Sequence, residues 1–190
     1  MTIDTERLVL RELQEADAEA IQEYAGSEIA VQYLSWGPHP LAETVAFVRE
    51  AIERGAQEPR TSFELAVVER SSSSVIGTAS LWLHEEKTRN GEIGYCLVPR
   101  VWGHGFGTEA AGAVLSMGFR TLDLHRIWAT SDPRNVASVR LLTSLGMGRE
   151  GYMREEYQVR GRWRDSVLFA MLEQDFAAKW GDAALGTVHH

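Results

Sequence analysis

The feature that most constrains this 190-residue chain is the run Trp-Gly-His-Gly-Phe-Gly-Thr at 102–108, with glycine at 103, 105 and 107. Apolar, strand-like residues precede it (GEIGYCLVP, 91–99). A helical apolar face follows, with Ala111, Val114, Leu115, Gly118 and Phe119 at i, i+3, i+4, i+7 and i+8. A strand must therefore pass into a helix over backbone that only glycine adopts freely, where N–H groups can converge on a ligand. A helix N-terminus adds partial positive charge, so the turn suits a pyrophosphate. The glycines alone equally suit a strand-to-helix turn with no ligand.

Two familiar nucleotide motifs do not fit. A P-loop needs Lys followed by Ser or Thr after its last glycine, and a dinucleotide fold needs parallel strands. The strand candidates here are 6–12, 62–70, 75–84, 92–98, 125–131, 147–158 and 164–173. The separators SSSS (71–74) and EEKTRNG (85–91) are short enough for antiparallel hairpins. Helices are expected at 14–26, at 41–55 after the loop SWGPHP, from the glycine run to about 122, and at 135–145 before Gly146. A single α/β domain over 1–182 follows, with a tail at 183–190 whose terminal His pair is left out of the fold.

With 27 acidic against 19 basic residues, the net charge of −8 opposes nucleic acid and anionic membranes and favours cationic substrates. No run is long enough to cross a bilayer, and MTIDTERLVLREL lacks the layout of a signal peptide, so a cytoplasmic location is expected. The lone Cys96 reads as a small buried hydrophobe. No set of ligands at suitable spacing points to a metal.

The spacing at 102–107 resembles the motif of the GNAT acetyltransferase superfamily: Gln or Arg, two residues, Gly, one residue, then Gly or Ala, opening the central helix. Trp102 stands where Gln or Arg usually does. That departure is similar to the ribosomal-protein-alanine N-acetyltransferase branch, where the run reads W-G-x-G-x-x-T-E-A; Gly103, Gly105, Thr108, Glu109 and Ala110 fit it. TERLVLRELQEADAEA at 5–20, GEIGYCLVP, and NVASVRLLTSLGM at 135–147 resemble the branch in the same order.

The resemblance implies a mixed, mostly antiparallel sheet of about seven strands flanked by helices. A cleft between the fourth and fifth strands (92–98 and 125–131) would take acetyl-CoA. Backbone groups of Leu97 and Val98 would bind the pantetheine arm, and one of those N–H groups would steady the developing oxyanion. Gly103, His104, Gly105, Phe106, Gly107 and Thr108 would hold the pyrophosphate. Asn135, which also reads as a helix N-cap, would touch the cofactor arm.

A lysine amine is only about 0.1% unprotonated at neutral pH, so an attacking amine needs a base. The resemblance points to Glu92, often acting through water; by itself Glu92 is also an ordinary strand-end carboxylate. The tyrosine that many relatives carry in the following helix as acid is missing, since 139–142 read Val-Arg-Leu-Leu; Ser138 is the remaining candidate. Trp36 and Tyr95 are assigned to the substrate side, with His39 and Trp163 behind them. The acceptor is a protein N-terminal amine or a small molecule such as an amino sugar, polyamine or antibiotic. A non-catalytic acyl-CoA sensor is the reading from another class, and the surplus of tryptophans leaves room for a homodimer.

Overall fold

The computed structural model describes residues 1–84, 88–181, 183 and 185–189. Its strands are β1 (Thr2–Asp4), β2 (Leu8–Glu12), β3 (Ser62–Glu69), β4 (Ser74–Leu83), β5 (Asn90–Leu97), β6 (Arg126–Ser131), β7 (Gly148–Val159), β8 (Arg162–Leu172) and β9 (Thr187–His189). They form one sheet in the order β7-β8-β6-β5-β4-β3-β2-β1-β9. Every neighbouring pair is antiparallel except β5 and β6. Helices α1 (Ala18–Ala25), α2 (Glu28–Val31) and α3 (Leu41–Gly55) lie between β2 and β3. Helix α4 (Phe106–Arg120) joins β5 to β6, α5 (Val136–Leu145) joins β6 to β7, and α6 (Glu173–Trp180) follows β8. Among the described residues, no helix is long and apolar enough to cross a membrane.

Side chains alternate across a sheet, so parity sorts the central strands. Odd positions such as Leu65, Leu81, Ile93 and Ile127 are buried under α4. A Cβ on Gly118 of α4 would come within 2.5 Å of the Ile127 side chain, so only glycine lets the helix lie this close to β6. Residues 110–119 of α4 are all buried, which makes it a core helix rather than an amphipathic surface one. Each fully buried Leu, Ile or Met here contributes roughly 1.5–3 kcal/mol. Even positions face α1 and α3, as the 2.9 Å hydrogen bond between Tyr24 of α1 and Thr78 of β4 marks.

Among the described residues the sheet has nine strands rather than the expected seven, because it gains two three-residue strands at one end, of which β9 is the edge. Strand β1 is too short to show a period in sequence, and β9 lies within the segment read as a tail, yet β9 pairs with β1 from Thr2↔His189 to Asp4↔Thr187. The helix expected at 14–26 begins with a 3-10 turn at Glu15–Asp17, and α2 was not foreseen. The hairpin expected across 85–91 does join two antiparallel strands, though residues 85–87 lie outside the described residues. The same holds for 182, 184 and 190 around β9.

Candidate functional site

Strands β5 and β6 pair only over Asn90–Glu92 and Arg126–Trp128. Beyond Glu92, β6 stays with β8, while β5 stays with β4 as far as Leu97. The two strands part, and the edge of β5 opens. Hydrogen bonds from His84 N–H to the Asn90 carbonyl (3.0 Å) and from Val98 N–H to the Ile76 carbonyl (2.9 Å) fix which residues of β5 are spent on β4. By antiparallel alternation, Glu92, Gly94 and Cys96 are spent too, whereas Ile93, Tyr95 and Leu97 turn their backbone groups to the opening.

Leu97 is therefore well placed and Val98 is not, a correction to the expected pair. The Val98 carbonyl is also used, by Val101 N–H at 3.2 Å, and the residue is fully buried. The Leu97 carbonyl accepts from the Trp102 indole N–H at 2.8 Å. Trp102 thus ties the glycine run to the strand, leaving the Leu97 N–H toward the opening.

The run itself turns through left-handed backbone at Gly103 (φ +78°) and Gly105 (φ +83°). Gly105 caps α4 with no side chain, so the first N–H groups of the helix have no intrahelical acceptor and face outward. Arg7, which showed no signal in sequence, braces this turn. It donates to the His104 carbonyl (2.8 Å) and to Glu109 (2.7 Å), and its guanidinium lies 4.5 Å from the centre of the Phe106 ring. Glu109 also accepts from Thr5 Oγ1 (2.6 Å) and Arg7 N–H (2.7 Å). Burial opposes its ionisation, but these donors and the Arg7 charge hold its carboxyl below the usual range.

A chamber of about 740 Å³ lies over the turn, lined by Gly103, Gly105, Phe106, Gly107, Thr108 and Leu97. His104 does not line it. Its ring Nδ1 sits 3.3 Å from the Val101 carbonyl, so the ring turns to the strand's end rather than into the chamber. Arg140 reaches the chamber's rim from α5. Open N–H groups at a helix start, beside a glycine whose Cβ position is empty space, fit a pyrophosphate.

A second chamber, of about 670 Å³, lies on the α1–α3 face. Glu92 is half-buried in its wall, with His84 Nε2 3.3 Å from its Oε2. His84 in turn stacks on Trp128 at 5.3 Å. Burial raises the Glu92 carboxyl, His84 pulls it back, and the Glu156 charge raises it further. Trp36 and His39 also line the wall, with ring centres 4.9 Å apart, but Trp163 does not and is 58% exposed.

The two chambers share Tyr95, Cys96, Asn135 and Ser138 at the split in the sheet, and Tyr33 and Leu34 after α2, so they meet there. Tyr95 and Ser138 share a hydrogen bond of 2.9 Å there. Burial pushes the Tyr95 hydroxyl up to about 12 against the pull of Ser138, which keeps it a proton donor at neutral pH. Asn135 is an N-cap, accepting from Ser138 N–H at 3.1 Å, and still lines both chambers. Sequence reasoning missed the carboxylate Glu64, whose signal was an acid amid the apolar run FELAVV, and it passed over His84, whose role depends on the register of β4 against β5.

A family model described as an acetyltransferase (GNAT) domain matches residues 7–148. The uncharacterized N-acetyltransferase p20 of Bacillus licheniformis is 30% identical over 176 residues, covering 93% of this chain and 98% of the relative. The ribosomal protein uS5-alanine N-acetyltransferase of Escherichia coli is 37% identical over 84 residues, 44% of this chain and 43% of that one. A crystal structure of a GNAT-family acetyltransferase from Bacillus anthracis superposes with a TM-score of 0.81 at 29% identity, covering 92% of this chain and 99% of that one.

Proposed function

Because this chain belongs to the GNAT acetyltransferase family and is an N-acetyltransferase, we propose that it moves acetyl from acetyl-CoA to a primary amine by direct attack across the split between β5 and β6. The observation that carries this reading is the meeting of an anion-ready glycine turn and an acidic, aromatic chamber at Tyr95 and Ser138. Acetyl-CoA, when bound, supplies the activated thioester. Gly103, Gly105, Phe106, Gly107 and Thr108 hold its phosphates, and Asn135 with the free edge of β5 holds the arm.

On the other side of the split, Glu92 takes the proton that an ammonium must lose before it can attack. Its raised pKa makes it a stronger base than an ordinary surface carboxylate, and half-exposed His84 offers the proton a path to solvent. The Leu97 N–H faces the opening as a donor for negative charge developing on the acyl oxygen. The Tyr95–Ser138 pair supplies a proton to the departing thiolate, so a tyrosine from the strand fills the role of the one absent from the helix.

The test is acetyl-CoA binding by calorimetry, followed by thiol release against N-terminal peptides and small amines. Glu92→Gln should retain binding and lose on the order of a hundredfold in kcat. Gly105→Trp, which forces a side chain into left-handed backbone 3.3 Å from Arg7, should abolish binding. Full activity in both variants would remove this assignment of the site.

A further inference from the structure

The second chamber is built around more than one acid. Glu64 of β3 lies at its floor, only 6% exposed, between the core residues Phe63 and Leu65. Ser80 Oγ donates to its Oε1, whereas Oε2 meets no donor in full hydrogen-bond geometry, with the Trp82 indole nearby as a weak one. A buried acceptor without a partner costs stability unless a ligand satisfies it. Neither the brace around the glycine turn nor the Glu92–His84 pair uses this carboxyl.

Registers place it relative to the base. Glu64, Ser80 and Gly94 form one cross-strand row, and Ser62, Trp82 and Glu92 form the next. Both acids therefore sit on the α1–α3 face, two strands and two residues apart, which puts their Cα atoms ~12 Å from each other. The Trp82 ring lies over Gly94, within 2.8 Å of where a Cβ would stand, so glycine at 94 makes room for an indole between the two acids. The result is a floor of carboxylate, aromatic face and carboxylate, to which Glu156 adds a third acid. Indole faces attract cations, and apolar spacers pack on them.

We propose that Glu64 is a second cation-recognition point and that the acceptor is a linear diamine or polyamine: one nitrogen lies by Glu92 for acetylation, the spacer crosses Trp82, and a distal ammonium pairs with Glu64. This rests on the acetyl-transfer reading and narrows its acceptor. A protein N-terminus carries one ammonium at the reacting end and would leave Glu64 unanswered. Burial raises the Glu64 carboxyl, while Ser80, the Arg54 charge of α3 and Trp82 pull it back; Tyr24 of α1 is a further titratable neighbour, and His39, Glu92, Cys96 and Glu156 line the same chamber. A distal ammonium would ionise Glu64 on binding, so the preference for diamines grows with pH.

The experiment compares kcat/KM for matched pairs, diaminobutane to diaminooctane against butylamine to octylamine, in the wild type, Glu64→Gln and Ser80→Ala. Glu64→Gln keeps the shape, and retained acetyl-CoA binding by calorimetry shows that it is folded. The wild type should prefer diamines at least about tenfold, and Glu64→Gln should remove that preference together with its pH dependence. Ser80→Ala keeps the carboxyl but removes a donor to its charged form, so the preference should persist with its rise displaced to higher pH. Equal use of diamines and monoamines, a preference untouched in Glu64→Gln, or turnover confined to N-terminal peptides would each overturn the inference while leaving acetyl transfer intact. Absence of turnover with every amine would remove both.

Discussion

At the scale of single residues, the site depends on groups whose environments move their proton affinities in useful directions. Glu92 is raised by burial and by Glu156, whereas His84 works against that rise. Replacing His84 with Gln removes a charge-stabilising neighbour, so the Glu92 carboxyl should rise further and the acid limb of the kcat/KM profile should move to higher pH. The activity lost on the acid side should recover on raising the pH, with acetyl-CoA affinity unchanged in calorimetry. An unshifted limb would mean that His84 merely packs on Trp128. Glu92 was a candidate only through the family resemblance, since a carboxylate after Asn90-Gly91 is unremarkable by itself. His84 was not, because its nearness to Glu92 depends on a hairpin register that no local pattern specifies. Val98 failed for a related reason: which of two adjacent residues spends its N–H on the neighbouring strand is a matter of pairing, not of residue type.

At the scale of elements, the strand-to-helix passage at 99–109 does the most. Its conformation was readable from Gly103, Gly105 and Gly107, since left-handed backbone is where glycine is needed. Its rigidity was not, because the brace is Arg7, about a hundred residues away in sequence and held to Glu109 and the His104 carbonyl. Arg7→Ala should loosen the turn and weaken acetyl-CoA binding about tenfold, equivalent to about 1.4 kcal/mol. Its effect on thermal stability should be under about 1 kcal/mol, because the Arg7 side chain is 43% exposed and such pairs are screened. A variant that binds acetyl-CoA as tightly as the wild type would show that the glycines hold the turn unaided. Helix α4 behaved as its period suggested, although it is buried on every side rather than along one stripe, because its run of Ala and Gly lets neighbours close in all round.

At the scale of the whole molecule, the split between β5 and β6 leaves two chambers where continuous pairing would have left one sheet. A ligand spanning that split ties the β1–β5 part of the sheet to the β6–β8 part, and it binds only the folded protein. At a hundred times its Kd, acetyl-CoA should therefore add about 2.7 kcal/mol of stability, raising Tm by about 5–10 °C in a melting scan. No shift would contradict the cofactor assignment. The sequence by itself determined the order of most strands and helices and the glycine turn, because periodicity and glycine conformation are local properties, while the reaction class and the kind of sheet were carried by its resemblance to a family. Tertiary structure alone decided the two short strands β1 and β9 at one end of the sheet, the Arg7 brace, the Tyr95–Ser138 junction, and the convergence of Glu64, Trp82 and Glu92 in one chamber. Each of these depends on register and on contacts between distant segments, and their free energy appears only once the chain has closed on itself.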